Sequence, residues 1–329
     1  MTATAQPQAA LHPHVHIVGG KAARTATLLL LLLTLLWGGT FLWMQLGTGS
    51  LREVLGADAH VASGALFLLV RYVVAVPLFV LAFPRVLRRL DKAAWRAGFL
   101  VSIPFALGNG LQIFGLTHAD VTPSQSAFLT SLYVVVIPLL TGLWTRTWPT
   151  RGVLIGIPLA TFGLAFIAGP PTEGLSVGAW ATVASALAFA GQIMVLDRVS
   201  RRVDALALTF TQLAFTCAWL VLTLLVTPGG TRALAPATVA AAFTRPTFVW
   251  TLLACAILAT VIALAIMNRW QKELSPSRAA IIYTAEPVFA AVISIAVGHE
   301  SVTAWLLVGS VSILLANLSA AFIGQTEPT

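Results

Sequence analysis

Charged residues are scarce in this sequence, and their scarcity decides the class of protein. Only 9% of the 329 residues are Asp, Glu, Lys or Arg, whereas 58% are hydrophobic. A soluble globular domain carries roughly 25% charged residues, so this composition excludes one and indicates a chain that lies in a bilayer. Because a spanning helix needs about 20 mainly apolar residues, the length leaves room for roughly ten helices and no large soluble domain.

Cysteine and water-exposed basic surface are scarce as well. Cys217 and Cys255 are the only two cysteines, and they lie in apolar runs without a CxxC partner. That context favours small core residues over a redox or metal site. The formal net charge is +8, but a nucleic-acid partner would need a basic face on a water-exposed domain. We therefore expect no nucleic-acid partner and attribute the charge to arginines in loops.

The HExxH motif of zinc-dependent hydrolases is missing from the sequence. The histidines of the N-terminal segment LHPHVH, which are His12, His14 and His16, are more typical of a solvated tail than of a metal site. We expect no enzyme, no cofactor and no metal. A sensor would also need a soluble signalling segment, and we find none.

Ten apolar runs are separated by charged residues or by Pro and Gly. They cover residues 27–46, 61–83, 95–117, 122–143, 152–169, 175–196, 206–227, 248–270, 276–297 and 302–323. Lys and Arg concentrate in alternate loops, and only Arg52, Arg232 and Arg245 fall in the opposite set. Since cytoplasmic loops carry an excess of Lys and Arg, we expect both termini in the cytoplasm.

The second half of the chain repeats a pattern of the first half. Without a gap, VTPSQSAFLTSLYVVVIPLLTGL aligns with LSPSRAAIIYTAEPVFAAVISIA, so that Thr122-Pro123-Ser124 matches Ser275-Pro276-Ser277. Five helices per half is an odd number, so the second copy must insert upside down. Inverted-topology repeats are chiefly a transporter architecture, with the binding site near the membrane midplane between the halves.

The predicted fold class follows from these runs and this repeat. We predict an all-α polytopic membrane protein with ten transmembrane helices in two inverted-topology five-helix repeats. The repeats cover residues 25–169 and 175–324, and cytoplasmic tails cover residues 1–24 and 325–329.

One acidic side chain lies deep in an apolar run. Glu286 follows Pro276 by ten positions, or about 15 Å at 1.5 Å per residue, which is the middle of a hydrocarbon core about 30 Å thick. Arg71 is the basic residue at comparable depth. Charges at this depth are costly and functional by default.

Two interpretations stay open for each of these charges. Glu286 either lines a polar pocket, where it binds an ammonium group or carries a proton, or is structural. In the structural case it pairs with Arg71 or donates to a backbone carbonyl. Arg71 either holds a carboxylate or phosphate of a solute or locks helices together.

Further polar and aromatic side chains are candidates for the same pocket. Tyr283 shares a helix face with Glu286, and the alignment matches Thr130 with Tyr283 and Tyr133 with Glu286. Pro287 removes a backbone hydrogen bond, so we expect a kink beside the acid.

Four other residues are candidates, with interhelical hydrogen bonding as the alternative. They are Trp37, Thr40, Asn109 and Gln112. Gly152 and Gly156 form a GxxxG spacing, which indicates a packing face within the chain or between the protomers of a homodimer.

Several of these residues also form a family pattern. Its elements are Trp37-Gly38, Arg71, Leu111-Gln112, Gly115-Leu116-Thr117, SAFLTSLYVVVIPLL, SPSRAA, Glu286-Pro287, Gly298 and Glu300. In their order and spacing, the sequence resembles the EamA-type members of the drug/metabolite transporter superfamily over about residues 27–323. The resemblance implies ten helices in two inverted halves, a bacterial-type inner membrane, and transport of small metabolites. Family members often carry a Glu at the end of the fourth helix, where this chain has Thr147.

The predicted function is secondary transport. We expect export of a small metabolite, an amino acid or a related compound, by alternating access of the two halves. The predicted partners are the small-molecule substrate, the lipid bilayer and a second copy in a homodimer. The alternatives are an importer or drug efflux carrier of the same fold and, outside transport, a membrane sensor or an intramembrane enzyme.

Overall fold

The protein is helical throughout the part that the structure describes. This computed structural model describes residues 21–146, 148, 151–167, 175–274, 279 and 282–322, and no β-strand occurs among them. Seven helices in these ranges are long and apolar enough to span a bilayer. Three shorter apolar helices, Arg151–Phe166, Ala285–Ala296 and Ala304–Ser319, accompany them. The all-α membrane class is confirmed, whereas the count of ten spans and the inverted repeats stay predictions.

Six α-helices form the first part of the chain among the described residues. They are α1 (Lys21–Leu55), α2 (His60–Ala82), α3 (Lys92–Leu116), α4 (Pro123–Ser131), α5 (Tyr133–Thr145) and α6 (Arg151–Ile167). The start of α4 is fixed by a capping box, in which Thr122 Oγ1 accepts from the Gln125 N–H at 3.2 Å and Gln125 Oε1 accepts from the Thr122 N–H at 3.0 Å. These bonds satisfy two backbone donors that a helix start leaves unpaired.

The second part of the chain follows with eight α-helices and one π-helical segment among the described residues. They are α7 (Val177–Ser200), α8 (Ala205–Val226), α9 (Gly230–Ala233), α10 (Pro236–Phe243), α11 (Pro246–Ala256), the π-helical segment Ile257–Ile262, α12 (Ala263–Trp270), α13 (Ala285–Ala296) and α14 (Ala304–Phe322). Ser176 and Asp204 cap α7 and α8 with side-chain oxygens. The short helices α9 and α10 occupy what the sequence indicated only as a loop.

Two turn residues, Leu132 and Thr284, interrupt the helical backbone among the described residues. Leu132 separates α4 from α5, because Ser131 Oγ donates to the Phe128 carbonyl at 2.7 Å and the Leu132 N–H turns to the Leu129 carbonyl. Side-chain bonds of this kind compete with the helical ladder. Thr284 is a turn residue just before α13, where Pro287 lacks the N–H that would bond back to Tyr283. The helical assignment thus breaks two residues before Glu286, and the kink expected beside it stays a prediction.

The helices of the two parts interleave instead of forming separate lobes. Helix α1 packs against α11, α12 and α13, α3 packs against α7 and α8, and α6 packs against α14. Gly38 permits the close approach of α1 to α13, since a Cβ there would lie 2.8 Å from the Cβ of Phe289 and 2.9 Å from the Ala290 nitrogen. Ser319 Oγ donates to the Gly152 carbonyl at 3.2 Å, so this glycine of the GxxxG pattern packs within the chain. A homodimer stays a prediction.

Candidate functional site

Two charged side chains are buried inside the helical bundle. Among the described residues, Arg71 and Glu286 are the only charged side chains in the buried class, with 4% and 8% of their surface exposed. Every other described acidic residue is partly or fully exposed. This agrees with the depth that the sequence indicated for both.

Both charges line one cavity enclosed by helices from the two parts of the chain. The empty space between its walls, counted together with the part that is open to solvent, is about 640 Å³. All nine residues proposed from the sequence line it, namely Trp37, Thr40, Arg71, Asn109, Gln112, Thr130, Tyr133, Tyr283 and Glu286. The structure brings these residues together; that they bind a solute stays a prediction.

Arg71 is held firmly at one side of the cavity. Its Nε donates to Thr260 Oγ1 at 2.7 Å, and one terminal nitrogen donates to the Ala259 carbonyl at 3.3 Å. The other terminal nitrogen contacts Met44 Sδ at 3.5 Å, and the guanidinium carbon lies 5.3 Å from the Tyr72 ring centre. All three guanidinium nitrogens thus have neutral partners.

The π-helical segment Ile257–Ile262 supplies two of the acceptors that bind Arg71. Thr260 Oγ1 donates to the Cys255 carbonyl at 2.8 Å while accepting from Arg71. The Ala259 carbonyl also accepts from Trp37 Nε1 at 3.1 Å. A π-helical turn leaves backbone carbonyls available outside the α-helical ladder and is frequent at functional sites. This segment therefore joins α1, α2 and α11 at the wall of the cavity.

Glu286 differs from Arg71 because its carboxylate has no hydrogen-bond or ion-pair partner among the described residues. No ion pair joins it to Arg71, so the structural alternative of a Glu286–Arg71 pair is not what this structure shows. Tyr133 lines the same cavity, and its hydroxyl likewise has no partner in the described part of the chain. The open polar groups of the cavity thus include a carboxylate and a phenol.

The other predicted polar residues combine cavity lining with helix-to-helix hydrogen bonds. Tyr72 Oη donates to Asn109 Oδ1 at 3.0 Å, which joins α2 to α3. Gln112 Nε2 donates to Thr130 Oγ1 at 3.2 Å, which joins α3 to α4. Thr40 Oγ1 donates only within its own helix, to the Leu36 carbonyl at 3.1 Å. For Asn109 and Gln112 the interhelical alternative is therefore present alongside the cavity position.

Aromatic side chains form much of the remaining wall. Trp37 and Tyr283 have ring centres 6.1 Å apart at an interplanar angle of 45°, and the Tyr283 hydroxyl donates to Gln271 Oε1 at 2.7 Å. Phe41, Phe105 and Phe189 also line the cavity. The sequence analysis did not select these phenylalanines, because Phe is common in any membrane helix.

Gln192 is a polar cavity residue that the sequence analysis missed. It lies on α7 with 3% of its surface exposed, and its Nε2 is buried without a partner among the described residues. A buried amide donor without a partner costs free energy. The sequence signal was the same as for Gln112, because Gln192 is also a glutamine in the middle of an apolar run, AFAGQIMVL.

At one end of the bundle, polar contacts connect α4 to α13. Glu300 Oε1 accepts from the Ser124 N–H at 3.0 Å and from Ser294 Oγ at 2.8 Å, which joins the start of α4 to the end of α13. His299 Nε2 lies 2.8 Å from Gln45 Oε1 in the same region. Thr147, which takes the place of a second such acid, lies outside the described residues.

Metal ligation has no support in the part of the chain that the structure describes. No group of three or more His, Cys, Asp or Glu side chains there could hold a metal ion. His12, His14 and His16 lie outside the described residues.

Comparisons with known proteins agree with this architecture. The model of the EamA-like transporter family matches residues 176–321. An uncharacterized transporter from Archaeoglobus fulgidus is 30% identical over 291 residues, which cover 88% of this chain and 84% of the relative. A crystal structure with 16% identity shares the fold at a TM-score of 0.58, covering 92% of this chain and 98% of the other. The chain therefore belongs to the EamA-like transporter family.

Proposed function

We propose that this protein is a secondary transporter that exports a small metabolite bearing an ammonium group, such as an amino acid or a related compound, by alternating access. One observation carries the proposal. Two buried side chains of opposite charge line one cavity without pairing with each other. Leaving a buried charge unpaired is costly, and inside a membrane bundle such residues mark pathways for solutes or ions.

The way the helices pack supports the inverted repeats on which alternating access depends. We count α4 with α5 as one span and α11 with α12 as one span. An exchange of the two halves then maps α1 onto α7, α3 onto α11 with α12, and α4 with α5 onto α13. Helix α1 packs against α13, and α7 packs against α4 and α5, as that exchange requires. Likewise α1 packs against α11 and α12, and α7 packs against α3. Inverted repeats usually enclose the binding site between them.

The two interruptions also match under the alignment of the halves. Leu132 aligns with Ala285, so its interruption lies one position from that at Thr284. The backbone angles agree, with φ −54° and ψ −19° at Leu132 and φ −64° and ψ −14° at Thr284. Discontinuous helices in corresponding positions of two halves are the usual location of a transporter site. Tyr133 and Glu286 follow these interruptions and both line the cavity.

The proposed direction of transport and the proposed membrane are inferred from the Lys and Arg residues of the loops. Lys and Arg concentrate in the loops at the end of the bundle where α1 begins and α14 ends, which favours a cytoplasmic location for that end. The contacts of Glu300 and His299 lie at the opposite end, which would face the outside of a bacterial-type inner membrane. A solute would then enter from the cytoplasm and leave when these contacts separate.

Glu286 would also carry the coupling ion. A carboxylate that holds either a proton or an ammonium group exchanges one for the other as the halves rock. The described titratable or charged groups that share its cavity are Arg71, Tyr133 and Tyr283. Replacing Glu286 with Gln removes the exchangeable proton, so transport should lose its dependence on an imposed pH gradient.

The test is efflux from proteoliposomes loaded with a metabolite panel, measured by mass spectrometry. We expect selective release of one solute class by the wild type and at least a tenfold lower rate for Glu286→Gln, since about 1.4 kcal/mol corresponds to tenfold. The matched control is Glu273→Gln, because Glu273 pairs with Arg269 at 2.8 Å outside the cavity. Release no faster than from protein-free liposomes, by protein that melts cooperatively, would contradict the proposal.

A further inference from the structure

We infer that a second cavity, at the end of the bundle where α1 ends, binds an anionic oxygen group, a phosphate or a carboxylate, with Arg52 as the main donor. The cavity is lined mainly by residues of α1, the start of α11 and His299. Its empty space, counted together with the part that is open to solvent, is about 1030 Å³. Among the described residues it shares none of its lining with the central cavity. The inference therefore goes beyond the proposed transport function and does not depend on it.

The first observation is the state of Arg52. Its guanidinium lies in the last turn of α1 and has no hydrogen-bond or ion-pair partner among the described residues, although its Nε is buried from solvent. The α1 dipole favours a cation at this end of the helix but does not supply the missing acceptors. A buried donor without an acceptor costs free energy. The fixed fork of guanidinium donors is thus available to a carboxylate or phosphate, which arginine binds through two parallel hydrogen bonds.

The second observation is the charge of the surrounding wall. Arg245 lines the same cavity and pairs with Glu53 at 2.8 Å, so two arginines and one glutamate give the lining a formal net charge of +1. Helix α11 begins at Pro246 without a side-chain cap, and Thr247 in its first turn lines the cavity. The start of a helix carries a partial positive charge. The wall therefore favours an anion as Arg52 does.

Membrane topology supplies an independent argument. Arg52, Arg232 and Arg245 are the only basic residues in the loop set opposite to the one rich in Lys and Arg, where basic residues are disfavoured. Two of these three exceptions, Arg52 and Arg245, line one cavity although they lie far apart in sequence. Orientation in the membrane does not require them there, whereas an anionic ligand does.

An anionic oxygen group can reach this cavity from two sources. One is a small anion in the surrounding water, including the carboxylate of a solute that leaves the central cavity. Gln45 lines the second cavity one helical turn beyond Phe41, which lines the central one. The other source is the phosphate of a lipid headgroup, because the ends of spanning helices lie in the headgroup region.

The experiment has one arm for each source and uses the purified full-length protein. The first arm is equilibrium dialysis against radiolabelled inorganic phosphate in non-ionic, lipid-free micelles, and the second is native mass spectrometry after addition of phosphatidylglycerol. For a free anion, Arg52→Gln should weaken phosphate binding about tenfold or more. For a lipid, it should retain one phosphatidylglycerol fewer than the wild type. The matched control is Arg232→Gln, which removes an exposed arginine of the same loop set outside the cavity and should behave as the wild type in both arms.

A variant that gains binding excludes misfolding as the cause of a loss. Glu53→Gln removes the acid from the cavity lining and frees Arg245, so binding should tighten about threefold or more in the arm that shows it. Four results would overturn the inference: wild-type binding in neither arm, undiminished binding by Arg52→Gln, an equal loss in Arg232→Gln, or no gain in Glu53→Gln.

Discussion

The two sides of the central cavity carry opposite charges and are built in opposite ways. On the side of α2 and the π-helical segment, Arg71 has acceptors at 2.7 Å and 3.3 Å and a sulfur at 3.5 Å. On the side of α13, the Glu286 carboxylate has no partner among the described residues. In the sequence these two charges look alike, because both interrupt an apolar run.

The difference separates a charge that holds the bundle from a charge that is available to a ligand. Arg71 joins helices that are 188 and 189 residues apart in sequence through Ala259 and Thr260. Removing such a group should cost stability, because Thr260 Oγ1 loses its donor and the Ala259 carbonyl keeps only Trp37 Nε1. Removing an open charge should cost ligand binding and leave stability unchanged. Variants on the two sides test this division.

The largest expected effect is on the Arg71 side. Arg71→Ala leaves Thr260 Oγ1 without its donor, removes one of the two donors to the Ala259 carbonyl and opens a cavity, so we expect a loss of about 3 kcal/mol or more in the free energy of unfolding. The measurement is equilibrium unfolding of the purified protein in mixed micelles. Arg96→Ala, at an exposed position in α3, is the matched control. Equal stability of the two variants would show that Arg71 does not stabilise the bundle, and so would remove its distinction from Glu286.

The next effect is expected on the Glu286 side and on function alone. Glu286→Gln keeps the size of the side chain and removes an unpartnered charge, so its free energy of unfolding should stay within about 0.5 kcal/mol of the wild type or rise. Its efflux rate should fall at least about tenfold. Equilibrium unfolding and efflux from proteoliposomes measure the two quantities on the same preparation. A destabilised variant would mean that Glu286 holds the bundle as Arg71 does.

A smaller loss of stability should follow from altering the π-helical segment that binds Arg71. Thr260→Val keeps the shape of the side chain and removes the acceptor of Arg71 Nε, for an expected loss of about 1–2 kcal/mol in the free energy of unfolding. Thr161→Val is the control, since Thr161 is exposed and donates only within its own helix, to the Ile157 carbonyl. A loss no larger than that of the control would show that the π-helical segment does not hold the guanidinium.

The smallest effect is expected for a charge outside the cavity. Arg89 pairs with Asp204 at 2.9 Å, with 48% and 38% of the two side chains exposed. Exposed pairs contribute about 0–1 kcal/mol, so Arg89→Ala should change the free energy of unfolding by less than about 1 kcal/mol. The same unfolding experiment measures it. A loss of unfolding free energy comparable to that of Arg71→Ala would show that burial does not determine the order of these effects.

Much of the candidate site could be predicted from sequence because charge is expensive in hydrocarbon. Glu286 and Arg71 stand out in apolar runs for that reason, and the alignment of the halves pointed to Tyr133 and Thr130. Gln192 carried the same signal and was overlooked. Cavity phenylalanines such as Phe41 could not be chosen, since an apolar side chain looks the same whether it faces lipid or a cavity.

The sequence by itself determined the all-α membrane class and the place of the two charges within apolar runs, because apolar length and charge follow directly from residue type. Only the tertiary structure decided which charge is held and which is open. That depends on the carbonyl of Ala259 and the hydroxyl of Thr260, which approach Arg71 only after helices distant in sequence have packed. It also depends on the interruptions at Leu132 and Thr284, whose backbone geometry brings Tyr133 and Glu286 to one cavity.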